Sequence, residues 1–323
     1  MSLLHNPQVV IREMKNKQYR KKEWKVMKNP YFGRVLTAMV TPFAADGSLN
    51  LEATKQLVEW WIAHGTDALV VTGSTGEAAT MTIEEKKAIW ETVVKQVNGR
   101  IPVIAGTGSN NTANSVETTK IADAIGVDGF LIVGPYYNKP TQEGYYQHFK
   151  AISESTEKPI ILYNVPGRTA ANIPPATVAR IAKDFKNVVA IKEAAGNVAQ
   201  VAELFRILPA DFTIYSGDDG LLLPFASVGA TGVVSVLANI GGEILQDLMN
   251  AYESGNVKEA AEINKRMVPL ANAMFIETNP IPVKAAVTLV TGIDAGAPRL
   301  PLTPMTEGAF EKMKAIIKEN GLI

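Results

Sequence analysis

The stretch Asn187–Gly196, NVVAIKEAAG, decides how the rest of the chain is read. Four apolar residues, Val188 to Ile191, form the short run expected of a strand buried on both faces of a parallel sheet. Lys192 follows at once. An ammonium at the end of a buried strand is costly to desolvate, so it either pairs with an acid or gives up its charge. One reading is a structural ion pair, with Glu193 or a carboxylate from another strand. The other is a nucleophilic lysine whose free amine attacks a carbonyl. The flanking sequence separates them.

Upstream and downstream the same kind of run recurs. Short apolar segments stand at 35–40 (VLTAMV), 67–73 (DALVVTG), 101–106 (IPVIAG) and 128–134 (DGFLIVG). They continue at 158–164 (KPIILYN), 187–192 (NVVAIK), 212–217 (FTIYSG) and 231–236 (TGVVSV). Each is too rich in Val, Ile and Leu to alternate cleanly, as two-sided burial requires. Helical patterns lie between them. Asn50 precedes a segment with Ala53, Leu57 and Trp61 at helical spacing, and Gly65 ends it. Thr82 and Glu85 form a capping box. Thr141 and the pair Pro174–Pro175 mark two further starts. Eight strands alternating with helices predict an α/β fold, a (β/α)8 TIM barrel over residues 31–254. An open Rossmann-type sheet is the alternative, but Gly106-Thr107-Gly108 has no third glycine at the spacing its fingerprint needs. Past Gly255 the strands stop, and Ala260, Ile263, Met267, Leu270 and Met274 trace one packed helical face. With two more helical stretches, after Pro282 and after Pro304, residues 255–323 read as a C-terminal helical domain.

Composition fits an ordinary globular protein with ample core. The chain has 323 residues, 46% apolar and 20% charged, with 32 basic and 32 acidic residues, so no global field favours nucleic acid. Cysteine is absent, which excludes thiolate metal sites and a cysteine nucleophile and suits a reducing cytoplasm. His5, His64 and His148 lack metal-ligand spacing, so chemistry without metal or cofactor is expected. Residues 1–30 differ from the remainder: eight basic residues face Glu13 and Glu23. No apolar h-region follows, so this is not a secretory signal. It reads as a disordered basic extension, or as a start assigned too early, with Met27 as the true start.

In a barrel of this kind the chemistry sits at the C-terminal ends of the strands. Those ends carry Ser74-Thr75-Gly76-Glu77, Tyr136-Tyr137, Tyr163 with Arg168 just beyond, Lys192, and Gly217-Asp218-Asp219. Together they supply an amine, hydroxyl proton carriers, a guanidinium for a carboxylate, and a turn whose N–H groups can nest an anion. That set suits a lysine condensing with a 2-oxo acid, the iminium then serving as an electron sink.

GSTGE at 73–77, GPYYNKP at 134–140, YNVPGRT at 163–169, IKEAAGN at 191–197 and SGDD at 216–219 resemble the dihydrodipicolinate synthase family. The likeness runs from about Arg34 to the end, through NPIPVK at 279–284 and RLPLTP at 299–304. It implies a pyruvate-dependent lyase of lysine and diaminopimelate biosynthesis that condenses pyruvate with aspartate semialdehyde. It further implies that Lys192 forms the imine and that Tyr163, Ser74 and Tyr137 relay protons, Tyr137 being lent by a neighbouring subunit. Thr75 would hold the pyruvate carboxylate and Arg168 that of the aldehyde, with Gly217 and Val234 completing the substrate pocket. A homotetramer, a dimer of dimers, is the implied assembly. Ser74 stands where the synthases usually have threonine; its hydroxyl still passes a proton but lacks the methyl that restricts χ1. Relatives inhibited by lysine carry a serine and two histidines after the Gly-Glu turn and a glutamate further on. Here Ala78-Ala79-Thr80, Ile83, Lys86 and Asn114 stand there, so a lysine-insensitive enzyme is expected.

Other activities remain to be weighed. An aldolase or dehydratase of a 2-keto-3-deoxy sugar acid, or a sialic acid lyase, would share Lys192 and the glycine-rich turn, but a polyhydroxylated aldehyde calls for hydroxyl partners more than for Arg168. A pyridoxal-phosphate barrel would need a phosphate near Gly241-Gly242, where Asp218 and Asp219 repel it. A non-catalytic small-molecule-binding barrel has no use for Lys192, Tyr163 and Tyr137 together.

Overall fold

The computed structural model describes residues 30–323; the basic extension expected at 1–30 lies, but for Pro30, outside the described residues. The eight apolar runs are eight parallel strands: β1 Val35–Ala38, β2 Ala68–Val71, β3 Val103–Gly106, β4 Gly129–Val133, β5 Ile160–Asn164, β6 Val188–Glu193, β7 Thr213–Ser216 and β8 Gly232–Ser235. They close in sequence order into one barrel, β8 pairing back onto β1 through Val35↔Val233 and Thr37↔Ser235. Closure is tight at this seam: a Cβ on Gly232 would stand 2.3 Å from the Arg34 carbonyl oxygen, so only glycine lets the last strand approach the first.

Alternate residues explain the lack of a clean polar face. Leu36, Val70, Ile104, Leu131, Ile161, Ala190, Tyr215 and Val234 fill the barrel interior. Their neighbours Val35, Leu69, Val103, Phe130, Leu162 and Ile191 join the surrounding core under the helices. Phe32 plugs the N-terminal end of the barrel, its N–H donating to the Tyr215 hydroxyl at 3.1 Å. Below β1 the Asp67 carboxylate accepts from the N–H groups of Arg34 and Val35, at 2.7 and 2.9 Å.

The helices begin where the sequence signals them. α1 (Leu51–Ala63) is capped by the Asn50 side chain on Ala53 N. The capping box of Thr82 and Glu85 opens α2 (Ile83–Val97) with both of its bonds made. After α3 (Thr112–Ile125), Thr141 caps α4 (Gln142–Ser153), and Pro175 is the first residue of α5 (Pro175–Asp184). α6 (Val198–Ile207), the short α7 (Leu222–Ala226) and α8 (Ala238–Glu253) complete the ring. Three helices follow β8 and α8: α9 (Val257–Ala273), α10 (Ile281–Thr291) and α11 (Glu307–Glu319). Ala260, Ile263, Met267, Leu270 and Met274 are buried as the spacing predicts. α10 begins at Ile281, one residue before Pro282, whose missing N–H costs nothing in a first turn. Among the described helices none is long and apolar enough to cross a membrane.

Candidate active site

Three adjacent strands set the centre. Lys192 on β6 stands in register with Tyr163 on β5 and Tyr215 on β7. It shares the parity of Ala190, which points into the barrel. The side chain is 6% exposed, and its Nζ lies 4.2 Å from the centroid of the Tyr163 ring. The ion pair with Glu193 is not formed, because successive strand residues point to opposite faces. Glu193 is fully buried on the outer side. There it accepts from Asn164 Nδ2 at 2.9 Å, Gln200 Nε2 at 3.0 Å and Ala195 N at 2.7 Å. Burial raises its pKa, against the pull of the Asn164 and Gln200 bonds. Asn164 in turn donates to Asn172 Oδ1 at 2.8 Å and accepts from Ile173 N at 3.0 Å. This buried network fixes β6 to the segment that follows the helical turn Pro166–Thr169, on which Arg168 rides.

Gly217 makes room for the lysine. A Cβ there would sit 2.6 Å from Ala194 Cβ and 3.2 Å from Lys192 Cε. Beyond the strand ends the ladder continues, Gly217 N donating to Glu193 O and Ala194 N to Asn164 O, both at 2.8 Å. The loops after β5, β6 and β7 are therefore held side by side.

The turn after β2 is held from behind by the C-terminal helices. Thr75 is buried, and its Oγ1 accepts from Asn279 Nδ2 at 3.0 Å. Glu77, at φ +56°, points away from the cavity into a fully buried ion pair with Lys284, Oε1 to Nζ 2.8 Å. Its Oε2 accepts from Arg299 N at 2.8 Å, and Lys284 also donates to Ala297 O at 3.1 Å. Burial lowers the lysine's pKa, opposed by the Glu77 charge. Asn279, Lys284 and Arg299 all come from the NPIPVK and RLPLTP motifs. They carried no role in the sequence reading because their partners lie some 200 residues away, at separations of 204, 207 and 222.

A cavity of about 290 Å³ opens over the barrel, and Ser74, Thr75, Tyr163, Arg168, Lys192 and Gly217 all line it. Asp218 and Asn279 line it too, and Asn272 and Phe275 form part of its wall, at and just beyond the end of α9. Two expected residues lie elsewhere. Val234 is fully buried in the barrel interior, and the cavity wall from that strand end is Val236. Tyr137 is 89% exposed at φ +71°, outside the cavity of its own chain. Larger grooves of about 710 and 800 Å³ lie on the helical surface, around Glu59 and Arg100 and around Asp247 and Arg266. Neither contains an inward lysine or a ring of strand-end hydroxyls. No cluster of metal-ligating side chains occurs among the described residues.

A buried lysine amine with no acid partner among the described residues, beside a tyrosine at the mouth of a (β/α)8 barrel, is the equipment of a Schiff-base lyase of the aldolase type. The sequence profile of the Dihydrodipicolinate synthetase family matches residues 31–320. The chain is 51% identical over 292 residues to the 4-hydroxy-tetrahydrodipicolinate synthase of Desulforamulus reducens, covering 90% of this chain and 98% of that protein. It is 49% identical over 288 residues to that of Bacillus subtilis, covering 89% and 99%. The crystal structure of dihydrodipicolinate synthase from Bacillus anthracis superposes with a TM-score of 0.87 at 46% identity, over 90% of this chain and 98% of that one. The lysine-bound enzyme of Cyanidioschyzon merolae superposes at 0.90 and 41% identity, over 91% and 100%. The chain belongs to the dihydrodipicolinate synthase family.

Proposed function

We propose that the amine of Lys192 forms an imine with pyruvate and that the cavity above it joins this unit to L-aspartate 4-semialdehyde. The chain is a lyase of lysine and diaminopimelate biosynthesis, and its product is 4-hydroxy-tetrahydrodipicolinate. The observation that carries the reading is the pairing of Lys192, 6% exposed and without an acid partner among the described residues, with the Tyr163 ring at 4.2 Å. The lone pair of Nζ adds to C2 of pyruvate and water leaves. The iminium then draws electrons from C3, which loses a proton, and the resulting enamine attacks the aldehyde carbon. The substrate's own α-amine, once deprotonated, adds to C2 and expels the Lys192 amine, closing the ring and freeing the lysine. Tyr163 is placed to move protons to and from these centres, with the Ser74 hydroxyl on the same cavity wall.

Thr75 receives a hydrogen bond from Asn279, which leaves its own hydroxyl proton to donate to the pyruvate carboxylate. Arg168 grips the carboxylate of the aldehyde as a planar fork. Gly217 supplies the space, and Val234 forms the floor beneath Val236 rather than a contact at the rim. Tyr137, exposed on its own chain, completes the relay of a neighbouring copy in a dimer of dimers. No cofactor is needed, and the absence of cysteine supports the cytoplasm as the compartment.

The reading is tested by offering pyruvate with aspartate semialdehyde against pyruvate with a panel of sugar aldehydes. Turnover restricted to the first pair is expected; preferential use of a sugar aldehyde would move the assignment to the sugar-acid branch. Borohydride added with pyruvate is expected to fix one reduced pyruvate per chain on Lys192. Lys192→Arg removes it, because a guanidinium stays protonated and cannot attack a carbonyl.

A further inference from the structure

We propose that Asp218 determines specificity for the second substrate: its carboxylate receives the α-ammonium group, on the opposite flank of Lys192 from Arg168. The proposal rests on the assignment of Arg168 to the α-carboxylate, and it extends that assignment to the other charge of the same amino-acid aldehyde.

The strand order places the two groups. β6 lies between β5 and β7, with Tyr163, Lys192 and Tyr215 in register. Arg168 follows Tyr163 on one side, and Asp218 follows Tyr215 on the other. The lateral bonds from Ala194 N and Gly217 N hold both loops beside the lysine. Both residues line the cavity that contains Lys192, at its exposed rim, and they are the other two charged residues in its wall. Aspartate semialdehyde is a zwitterion at its α-carbon. A site that bound only its carboxylate would leave the ammonium to be desolvated without a counter-charge. Lys192 is committed to the imine and Arg168 is cationic, so Asp218 is the anionic group in the wall that can offset a cation. Asn279 Oδ1, buried without a partner among the described residues, can add only a neutral acceptor.

Asp218 is also free to do so. Its backbone is pinned by Ser216, whose Oγ donates to Asp218 O at 2.7 Å and accepts from Asp218 N at 3.2 Å. Oδ1 accepts from Gly220 N at 2.9 Å, closing a short turn. Oδ2 has no partner among the described residues. Asp219, the next residue, serves differently. It is 2% exposed, with Oδ2 accepting from Val236 N and Leu237 N at 3.1 and 3.0 Å. That latches the β7 loop to the end of β8. The first aspartate of SGDD is thus presented to the cavity, and the second is consumed in holding it there.

Three points of attachment follow: aldehyde carbon to the enamine, carboxylate to Arg168, ammonium to Asp218. Three fixed points around one α-carbon select one enantiomer. Asp218→Asn tests this cleanly, because an asparagine oxygen still accepts from Gly220 N while the negative charge is removed. With the full-length variant, KM for L-aspartate semialdehyde is expected to rise about 10- to 100-fold, the range of a charge-assisted contact. The preference for L over D aldehyde should shrink alongside it. Borohydride-trapped pyruvate should stay at the wild-type level. So should competitive inhibition by succinate semialdehyde, which keeps the aldehyde and carboxylate but lacks the ammonium. An unchanged KM, or equal weakening of both aldehydes, overturns the proposal, the second outcome reducing Asp218 to a loop residue. Failure of the underlying assignment shows separately, as an Arg168→Ala variant that still binds succinate semialdehyde normally.

Discussion

Lys192 can attack only if its stem has room beside the β7 loop, and Gly217 provides that room at the cost of a Cβ. Gly217→Ala would press against Ala194 Cβ, at 2.6 Å, and Lys192 Cε, at 3.2 Å. Ala194 Cβ is fixed to the backbone and cannot yield, whereas Lys192 Cε lies next to the tip of its side chain and can, so the amine shifts. Misplacement of a reacting group by about 1 Å costs about 100-fold in rate, and a fall of about 10- to 100-fold in the rate of borohydride-trappable imine is the expected outcome. Trapping at the wild-type rate would show that the lysine tolerates the crowding. A second residue sets a pH limit on the fold rather than on the chemistry. His148 on α4 is buried, its Nδ1 meets Thr112 Oγ1 at 3.0 Å, Nε2 has no partner among the described residues, and burial pushes its pKa down to about 4. The unfolded chain, with histidine near its ordinary ~6.5, takes up the proton first as pH falls. Stability is therefore complete above about pH 6.5 and is lost progressively down to about pH 4, by about 3 kcal/mol from this group. Urea denaturation at pH 7 and pH 4.5 should show a steeper loss in the wild type than in His148→Leu. Equal slopes would mean that the imidazole protonates in place.

At the scale of elements, the strands and helices of the barrel were legible, and the part of the cavity wall contributed by the end of α9 was not. Buried parallel strands announce themselves as apolar runs, and helices by their caps, so Asn50, Thr82 and Thr141 open helices as their sequence patterns predict. The strand ends then gave Lys192, Tyr163, Ser74 and Arg168 on one cavity wall. A helical stripe reveals which residues of α9 face the core. It does not reveal which opening the helix crosses, so Asn272 and Phe275 were invisible as cavity residues. Asn279 and Lys284 were equally silent, because a buried polar residue shows its meaning only with its partner in place. Their partners predict a coupling. Lys284→Met would leave Glu77 buried without its counter-charge, a loss of about 3–5 kcal/mol, and would loosen the turn that carries Thr75. Adding Glu77→Gln should recover much of the stability. KM for pyruvate should stay raised in both variants if the ion pair also positions the turn; a double variant with wild-type KM would confine the pair to stability.

The whole molecule raises the question of what Tyr137 is for. The relay role proposed for Tyr137 needs its hydroxyl at a cavity, yet the residue is 89% exposed, at φ +71°, and lies outside the cavity of its own chain. Holding a bulky residue in the left-handed region is unfavourable, and displaying a phenol to solvent gains nothing. Both features make sense if the ring enters the site of a second copy. Tyr136, beside it and 40% exposed, would then be covered by the same contact. The sequence could name Tyr137 but not its address, because no pattern within one chain encodes which copy a side chain serves. Lysine inhibition is tested on the whole enzyme, because a dihydrodipicolinate synthase structure with lysine bound is among the chain's structural relatives. If the resemblance aligns Lys86 and Asn114 with the histidine and glutamate of a lysine site, a lysine ligand would meet a like charge and lose a counter-charge. Activity is expected to stay flat up to millimolar lysine, and inhibition below that would restore the effector site. The address of Tyr137 can be read by complementation. Tyr137→Phe lacks the relay hydroxyl and Lys192→Ala lacks the amine, so each homo-oligomer should be nearly inactive. In a mixed pair the Tyr137→Phe chain keeps a working lysine and receives a native tyrosine from its neighbour. One site in each such pair is then whole, and activity should return towards half of the wild-type value per mixed pair. If subunits are shown to exchange and no activity returns, Tyr137 must act within its own chain, after a movement of its loop towards Ser74.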